Sequence, residues 1–460
     1  MDTPLTTDIA IIGAGTAGLT AFHEVARSGR SVVLIDHGPL GTTCARVGCM
    51  PSKAALHAGQ RWANLQDLLR GTPTAAGAAT ADSLWRHARE TRDLLAAGAA
   101  QRTVTAAGDQ LLMGTARFTG PQTLDVDGRP VRAQAFIVAT GSRPVLPAAL
   151  RALGSSVLTT DTLFDLETLP GRIGIVGLGA IGLEMGLALA RLGVRVVAGD
   201  LKTSLAGITD PVVSARATER FGRELTMWLG QPMEVQIEGP SVALRSGSES
   251  RVVDRVLAAL GRRPNVEALD LPEAGVSFDA LGRPSRDPHT LRAADSRIFL
   301  AGDAATDRPL MHEAADEGRI AAQGALHLIA GQRSMPPTRR APLSIVFSDP
   351  DIAAVGESFD SLVPDEIVIG TAEGSGNGRS RVLGAKSNLV RLYADRATGT
   401  LRGASLIATH GEHLAHLLAW AVQRRETVDG LLSMPYYHPS VEEMLQSALK
   451  DAARQLHGTP

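Results

Sequence analysis

Short apolar runs, each leading into a glycine turn and then into a helical spacing of apolar positions, organise much of this 460-residue chain. "DIAIIGAGTAGLTAFHEVARSGRSVVLID" (Asp8–Asp36) predicts a buried strand, a turn, an amphipathic helix and a second buried strand ending on an acid. "RIGIVGLGAIGLEMGLALARLGVRVVAGD" (Arg172–Asp200) repeats the pattern. Two further buried strands are predicted within "AFIVATGSRP" (Ala135–Pro144) and "RIFLAGDAAT" (Arg297–Thr306). The first of these passes through Thr140 and breaks at Gly141 into a proline-containing exit, as where a chain leaves a domain. "MPYYHPSVEEMLQSALKDAARQL" (Met434–Leu456) opens as a turn and becomes an amphipathic helix. Strand and helix alternate, so the fold class is α/β.

The two turns carry Gly13-x-Gly15-x-x-Gly18 and Gly177-x-Gly179-x-x-Gly182, and in both copies the first glycine precedes the acid, Asp36 or Asp200, by 23 positions. Such glycines let the backbone approach a pyrophosphate, the helix N-terminus offers N–H groups and a favourable dipole, and the acid can hold ribose hydroxyls. Glycines serving helix–strand packing alone are the alternative; repetition of the whole strand–turn–helix–strand–acid unit argues against it. Two nucleotide sites in one chain imply two cofactors that exchange electrons. Asp303, after Gly302 at a strand end, is placed either to meet a ligand hydroxyl or to cap a helix.

A length of 460 residues suggests about three domains. The net charge of −2 offers no overall sign to nucleic acid or to a membrane surface. No basic leader precedes the first strand, where Asp2 and Asp8 stand, and no run approaches a membrane span. The protein is therefore expected in the cytoplasm, where disulfides are more often catalytic than structural.

That expectation sharpens one feature. "GTTCARVGCMPSK" (Gly41–Lys53) holds Cys44 and Cys49, the only two cysteines of the chain. A bridge between them closes too short a loop to stabilise much by chain entropy. A zinc site needs about four ligands, which this pair with His37 or His57 does not supply, so no metal is assigned.

In order along nearly the whole chain, "IIGAGTAG", "CARVGCMPSK", "ATGSRP", "GLGAIGLE", "LGRRPN" (with Gly261), "AGDAA" with "LMHEAADEG", "FSDPDIAAVG" and "YYHPSVEE" resemble the class I pyridine nucleotide–disulfide oxidoreductases. Among the branches of that family the motifs are most similar to the dihydrolipoamide dehydrogenases. The resemblance implies an FAD-binding domain in two segments (1–148 and 268–335), an NAD-binding domain (149–267) and a C-terminal α+β dimerisation domain (336–460). FAD would be held by Gly13, Gly15, Gly18, Asp36, Lys53, Thr140, Gly141 and Asp303. NAD would be held by Gly177, Gly179, Gly182, Asp200 and Gly261. Cys44 and Cys49 would form a redox disulfide, Cys44 exchanging with a dithiol and Cys49 facing the flavin. Residues five apart on a regular helix lie too far apart for a relaxed disulfide, so this segment is expected to be distorted. Lys53 would pair with Glu184 beside the flavin. His438, steered by Glu443, would act as base on Cys44 of a second subunit in a homodimer.

The chain departs from the pattern at Gly41-Thr42-Thr43, where two glycines are usual, and at Arg46 in place of asparagine. Tyr436 and Tyr437 precede His438, where the dihydrolipoamide dehydrogenases often carry a histidine two residues earlier. The second nucleotide domain looks short between Trp228 and Leu260. No cysteine follows Cys49, unlike the mercuric reductases and larger thioredoxin reductases, and Asp200 is followed by Leu201-Lys202-Thr203 rather than by NADPH-binding arginines. The expected activity is electron transfer from a small, lipoyl-type dithiol through the disulfide and FAD to NAD⁺. The alternatives are another small thiol or disulfide, or a redox-sensing flavoprotein of low turnover.

Overall fold

Ile9, Ala10, Ile11 and Ile12 are apolar in succession rather than in alternation, and the strand they form, Leu5–Ile12, is covered on both faces. It runs parallel to Val32–Asp36 on one side and Arg129–Val138 on the other. Leu111–Met113 and Ile298–Leu300 extend this parallel sheet, and an antiparallel hairpin of Ala116–Gly120 and Thr123–Val126 continues it. A computed structural model describes residues 3–69, 80–280, 282–305, 308–332 and 339–458.

The chain leaves this domain through Ser142–Pro144 and returns through Arg262–Pro264, and the two crossings pair as antiparallel strands. Arg262 ties them by donating from Nε to the Ser142 hydroxyl at 2.8 Å and from Nη2 to the Ser142 carbonyl at 2.6 Å. Between the crossings lies a second parallel sheet, in the order Thr226–Leu229, Arg195–Asp200, Arg172–Val176, Arg255–Ala258, Val157–Leu158. The stretch that looks short in sequence is a three-stranded antiparallel meander of Glu234–Glu238, Ser241–Ser246 and Glu249–Val253.

The C-terminal domain is a five-stranded antiparallel sheet (Leu343–Val346, Asp351–Gly356, Leu401–Ala408, Leu389–Asp395, Ile367–Glu373) with helices Gly411–Gln423 and Glu443–His457. The domain boundary expected at 335/336 lies outside the described residues. Two buried clamps hold this domain against the second nucleotide domain. Asp210, fully buried, accepts N–H bonds from Val212 and Val213 and also bonds from the Tyr393 hydroxyl (2.6 Å) and Arg391 Nε (2.7 Å). Arg191 donates to the carbonyls of Ser348 (2.7 Å) and Asp349 (3.0 Å). Among the described residues no helix is long and apolar enough to cross a membrane.

Candidate active site

The cysteine segment is not one continuous helix. Thr43–Arg46 forms one helical turn, the backbone leaves helical geometry at Val47 (φ −140°) and Gly48 (φ −119°, ψ −120°), and the long helix Cys49–Leu68 begins at the second cysteine. A Cβ on Gly48 would sit 3.2 Å from Cys44 Cα, so the reversal brings Cys49 back over Cys44. Thr42 starts the segment at φ +56°, and its hydroxyl accepts the Ala45 N–H at 3.2 Å.

The two thiols titrate apart. A hydrogen bond from the Cys44 thiol, opposed by burial and reinforced by the nearby Lys53 charge, lowers Cys49 to about 6. The same bond, with burial, pushes Cys44 up. In the reduced protein Cys49 is thus the thiolate and Cys44 the proton donor.

One turn along the helix, Lys53 Nζ donates to both carboxylate oxygens of Glu184 at 2.9 Å. Glu184 belongs to the second nucleotide helix, Ala180–Arg191, against which the cysteine helix packs so closely that a Cβ on Gly59 would meet the Ala188 carbonyl oxygen at 2.8 Å. Phe347 comes from the C-terminal domain. Its N–H donates to Glu184 at 3.1 Å, and its ring centroid lies 4.7 Å from Lys53 Nζ. Three distant segments therefore converge on one charge.

Both glycine turns fit a dinucleotide. A Cβ on Gly18 would stand 1.8 Å from the Gly13 carbonyl oxygen, and one on Gly182 would stand 1.9 Å from that of Gly177, so only glycine permits either turn. A Cβ on Gly15 or Gly179, by contrast, would meet nothing within 4 Å, which leaves space beside each helix N-terminus. The helices Thr16–Arg27 and Ala180–Arg191 begin there without a side-chain cap, so their first N–H groups are available to phosphate oxygens. Asp36 accepts the Ala14 N–H at 2.7 Å and Asp200 the Leu178 N–H at 2.6 Å. A carboxylate oxygen has a further lone pair, so a ribose hydroxyl can still bond to each.

Asp303 accepts the Ser142 hydroxyl at 2.6 Å, and the buried Thr140 hydroxyl has no protein partner, which leaves a polar atom for a flavin to satisfy. Gly141 (φ +68°) and Gly261 (φ +89°) lie where the chain leaves and returns, and a Cβ on either would meet nothing within 4 Å.

His438 stands apart from this assembly. Its Nδ1 lies 3.0 and 3.1 Å from the two Glu443 oxygens, and its side chain is 77% exposed. Glu443, the first residue of the C-terminal helix, also accepts the Ser440 N–H at 3.0 Å. That N–H, and then His438, hold its carboxyl below the usual range. Within the chain His438 makes no bond to either cysteine among the described residues. Phe347, Ser142 and Arg262 belong to the site although sequence reasoning gave them no role; "FSDPDIAAVG" carried Phe347, but nothing local connects it to Glu184.

Two dinucleotide turns, together with a segment that folds two cysteines close to each other, are the features of a disulfide oxidoreductase that uses FAD and a nicotinamide cofactor. Residues 7–318 match the pyridine nucleotide-disulphide oxidoreductases, and residues 343–449 match the dimerisation domain of the same family. The chain belongs to this family. It is 30% identical over 475 residues to the dihydrolipoyl dehydrogenase of Thermus scotoductus, covering 98% of both chains. It is 28% identical over 446 residues to a mercuric reductase of Staphylococcus aureus, covering 92% of this chain and 78% of that one. The fold matches the HOCl-induced flavoprotein disulfide reductase RclA from Escherichia coli with a TM-score of 0.82 at 21% identity, over 97% of this chain and 99% of that one.

Proposed function

We propose that the protein is a homodimeric reductase or oxidase of a small thiol–disulfide couple, acting through Cys44 and Cys49. The observation that carries the reading is the reversal at Gly48 that brings Cys49 back over Cys44, one helical turn from the Lys53–Glu184 pair. When bound, NADH would supply through FAD the electron pair that opens the Cys44–Cys49 bond, and NAD⁺ would receive it in the reverse direction. In reduction, Cys44 loses its proton to His438 of a second copy and attacks one sulfur of the substrate disulfide. That S–S bond breaks, and the leaving thiolate takes the proton back from the imidazolium. Cys49 then attacks Cys44, closes the internal disulfide and releases the second substrate thiolate, which is protonated by solvent. Glu443 keeps the imidazole oriented throughout. Asp200 favours NAD over NADP because it would repel a 2′-phosphate, with Lys202 beside it as a counterweight.

Dihydrolipoamide is one substrate within this class, supported by the relatives named dihydrolipoyl dehydrogenase. Thr42, Thr43, Arg46 and the Tyr436-Tyr437 pair alter the segments that carry the cysteines and His438, which favours another small thiol equally well. The reducing chemistry and the sparse cysteines suit the cytoplasm. The deciding experiment is a panel of small disulfides with NADH and NADPH, and of dithiols with NAD⁺, ranked by kcat/KM. One couple should stand out and should lose turnover in Cys44→Ser. Absence of turnover with every couple and both cofactors overturns the reading in favour of a redox-sensing role.

A further inference from the structure

The helix Gly411–Gln423 opens with "THGEHLAH", which places three of the chain's 12 histidines at 410, 413 and 416. None of them belongs to the redox site. His410 is the N-cap residue and holds a left-handed conformation (φ +56°, ψ +34°), which carries a backbone cost for a residue with a side chain. Its ring centroid lies 6.1 Å from that of His413, with the planes tilted by 34°. Glu412 Oε1 lies 3.7 Å from His413 Nε2. Taking one ligand atom from each of His410, Glu412 and His413, all three lie within 4.8 Å of one another. Among the described residues this is the one place where three such atoms gather. His416 is committed elsewhere, its Nδ1 lying 2.6 Å from the Glu412 carbonyl oxygen.

Helix stability does not account for the pair of imidazoles. A helix N-terminus is the positive end of the dipole, where imidazolium is disfavoured and acids or hydroxyls are preferred. Neutral imidazoles with free lone pairs are what a metal ion takes. The backbone that carries them is firmly seated: Asp351, 8% exposed, accepts the Glu412 N–H at 3.3 Å, and a Cβ on Gly411 would meet Asp351 Cβ at 2.9 Å. A tetrahedral ion with bonds of about 2.0–2.1 Å needs donor atoms roughly 3.3 Å apart, so the three side chains must close by up to about 1.5 Å. His413 is 68% exposed, which leaves its side chain free to make that adjustment, whereas Glu412 is 30% exposed and its carboxylate also accepts a hydrogen bond from the Asp351 carboxyl.

We propose that His410, Glu412 and His413 bind one divalent ion of the borderline transition metals, Zn(II) being the reference ion, with water completing the coordination. Two imidazoles and a carboxylate form a donor set suited to such ions rather than to Ca(II) or Mg(II). The test is Zn(II) titration of the full-length, FAD-loaded Cys44→Ser/Cys49→Ser protein, in which no thiolate competes, with Co(II) absorption as a geometric readout. One Zn(II) should bind per chain, and Co(II) should show four-coordinate bands without thiolate charge transfer. His413→Ala and Glu412→Gln should each weaken binding by about tenfold or more. His457→Ala, which removes an exposed histidine paired with Asp429 at 3.1 Å, should change nothing. No saturable binding up to about 0.1 mM Zn(II), or binding undiminished in His413→Ala, overturns the proposal.

Discussion

Two nitrogen–carboxylate pairs serve the proposed reaction, and their surroundings are opposite. Glu184 is 6% exposed at its side chain, and its donors, Lys53 and the Phe347 N–H, come from two different domains. His438 is 77% exposed, and its one hydrogen-bond partner among the described residues is the acid five residues ahead of it. The first pair is finished within one chain by packing; the second is a local motif presented outward. Exposed Leu417, Trp420, Met434 and Tyr437 share the C-terminal domain with His438, an apolar set that a second copy would cover. On the proposed reading, the chain would be complete on its electron-transfer side and would need a second copy on its proton-transfer side.

The largest effect expected of a single non-cysteine substitution follows from that incompleteness. His438→Ala should lower thiol–disulfide turnover by about 10²–10⁴-fold, the usual contribution of a general acid–base group, while FAD content and nicotinamide binding stay unchanged. Mixing His438→Ala with Cys44→Ser under conditions that exchange subunits should restore activity, because the heterodimer then holds one intact composite site. Verified exchange with no return of activity would show that His438 serves its own chain, and the contrast drawn above would collapse.

The finished pair is probed through Cys49. Alkylation of the reduced protein should report a thiolate with a midpoint near pH 6, reactivity rising with pH through that value rather than near the free-cysteine value of about 8.5. Cys44→Ala removes the hydrogen bond that lowers Cys49 most and should raise the midpoint furthest. Lys53→Met removes the smaller, coulombic contribution and should raise it by less than Cys44→Ala does. A midpoint that responds to neither substitution would leave the Lys53–Glu184 pair without influence on the thiol.

Glu443→Gln should cost less than His438→Ala, about tenfold in kcat, since the amide oxygen can still accept from Nδ1. The carboxyl is held below its usual range, so its contribution to stability is complete above the unfolded-state value of 4.5 and is lost as pH falls through the folded value. Wild type should accordingly lose part of its stability advantage over Glu443→Gln in thermal melts carried down through pH 4.5.

What the sequence revealed is what repeats or lies close along the chain. Gly13 to Asp36 and Gly177 to Asp200 are continuous units in which Gly18 and Gly182 are explained by contacts inside the unit, although Gly13 and Gly177 lie against the distant carbonyls of Ala139 and Ala259, and His438 with Glu443 spans five residues. The break between the cysteines followed from disulfide geometry and is present at Val47 and Gly48. The links that assemble the molecule were hidden because they join residues far apart. Arg191 to Ser348 spans 157 positions, Tyr393 to Asp210 spans 183, and Phe347 to Glu184 spans 163. Each is a hydrogen bond whose donor looks ordinary in its own segment: a helix arginine, a strand tyrosine, a backbone amide. Only the folded packing of the C-terminal domain on the second nucleotide domain gives them meaning.

Phe347 offers the finest test of that packing. Its N–H bond to Glu184 survives any side-chain change, whereas its ring supports Lys53 from 4.7 Å. A cation over an aromatic face in a partly exposed setting is worth about 0.5–1 kcal/mol, so Phe347→Leu should loosen Lys53 by a factor of roughly 2–5. The effect should appear as a small upward displacement of the Cys49 midpoint and a matching loss in kcat, with KM for the thiol substrate unchanged. Phe347→Tyr keeps the ring and should behave as wild type. A leucine variant that lowers stability yet leaves the Cys49 midpoint in place would show that the ring only fills space. In that case the C-terminal domain supports the charge through its backbone alone.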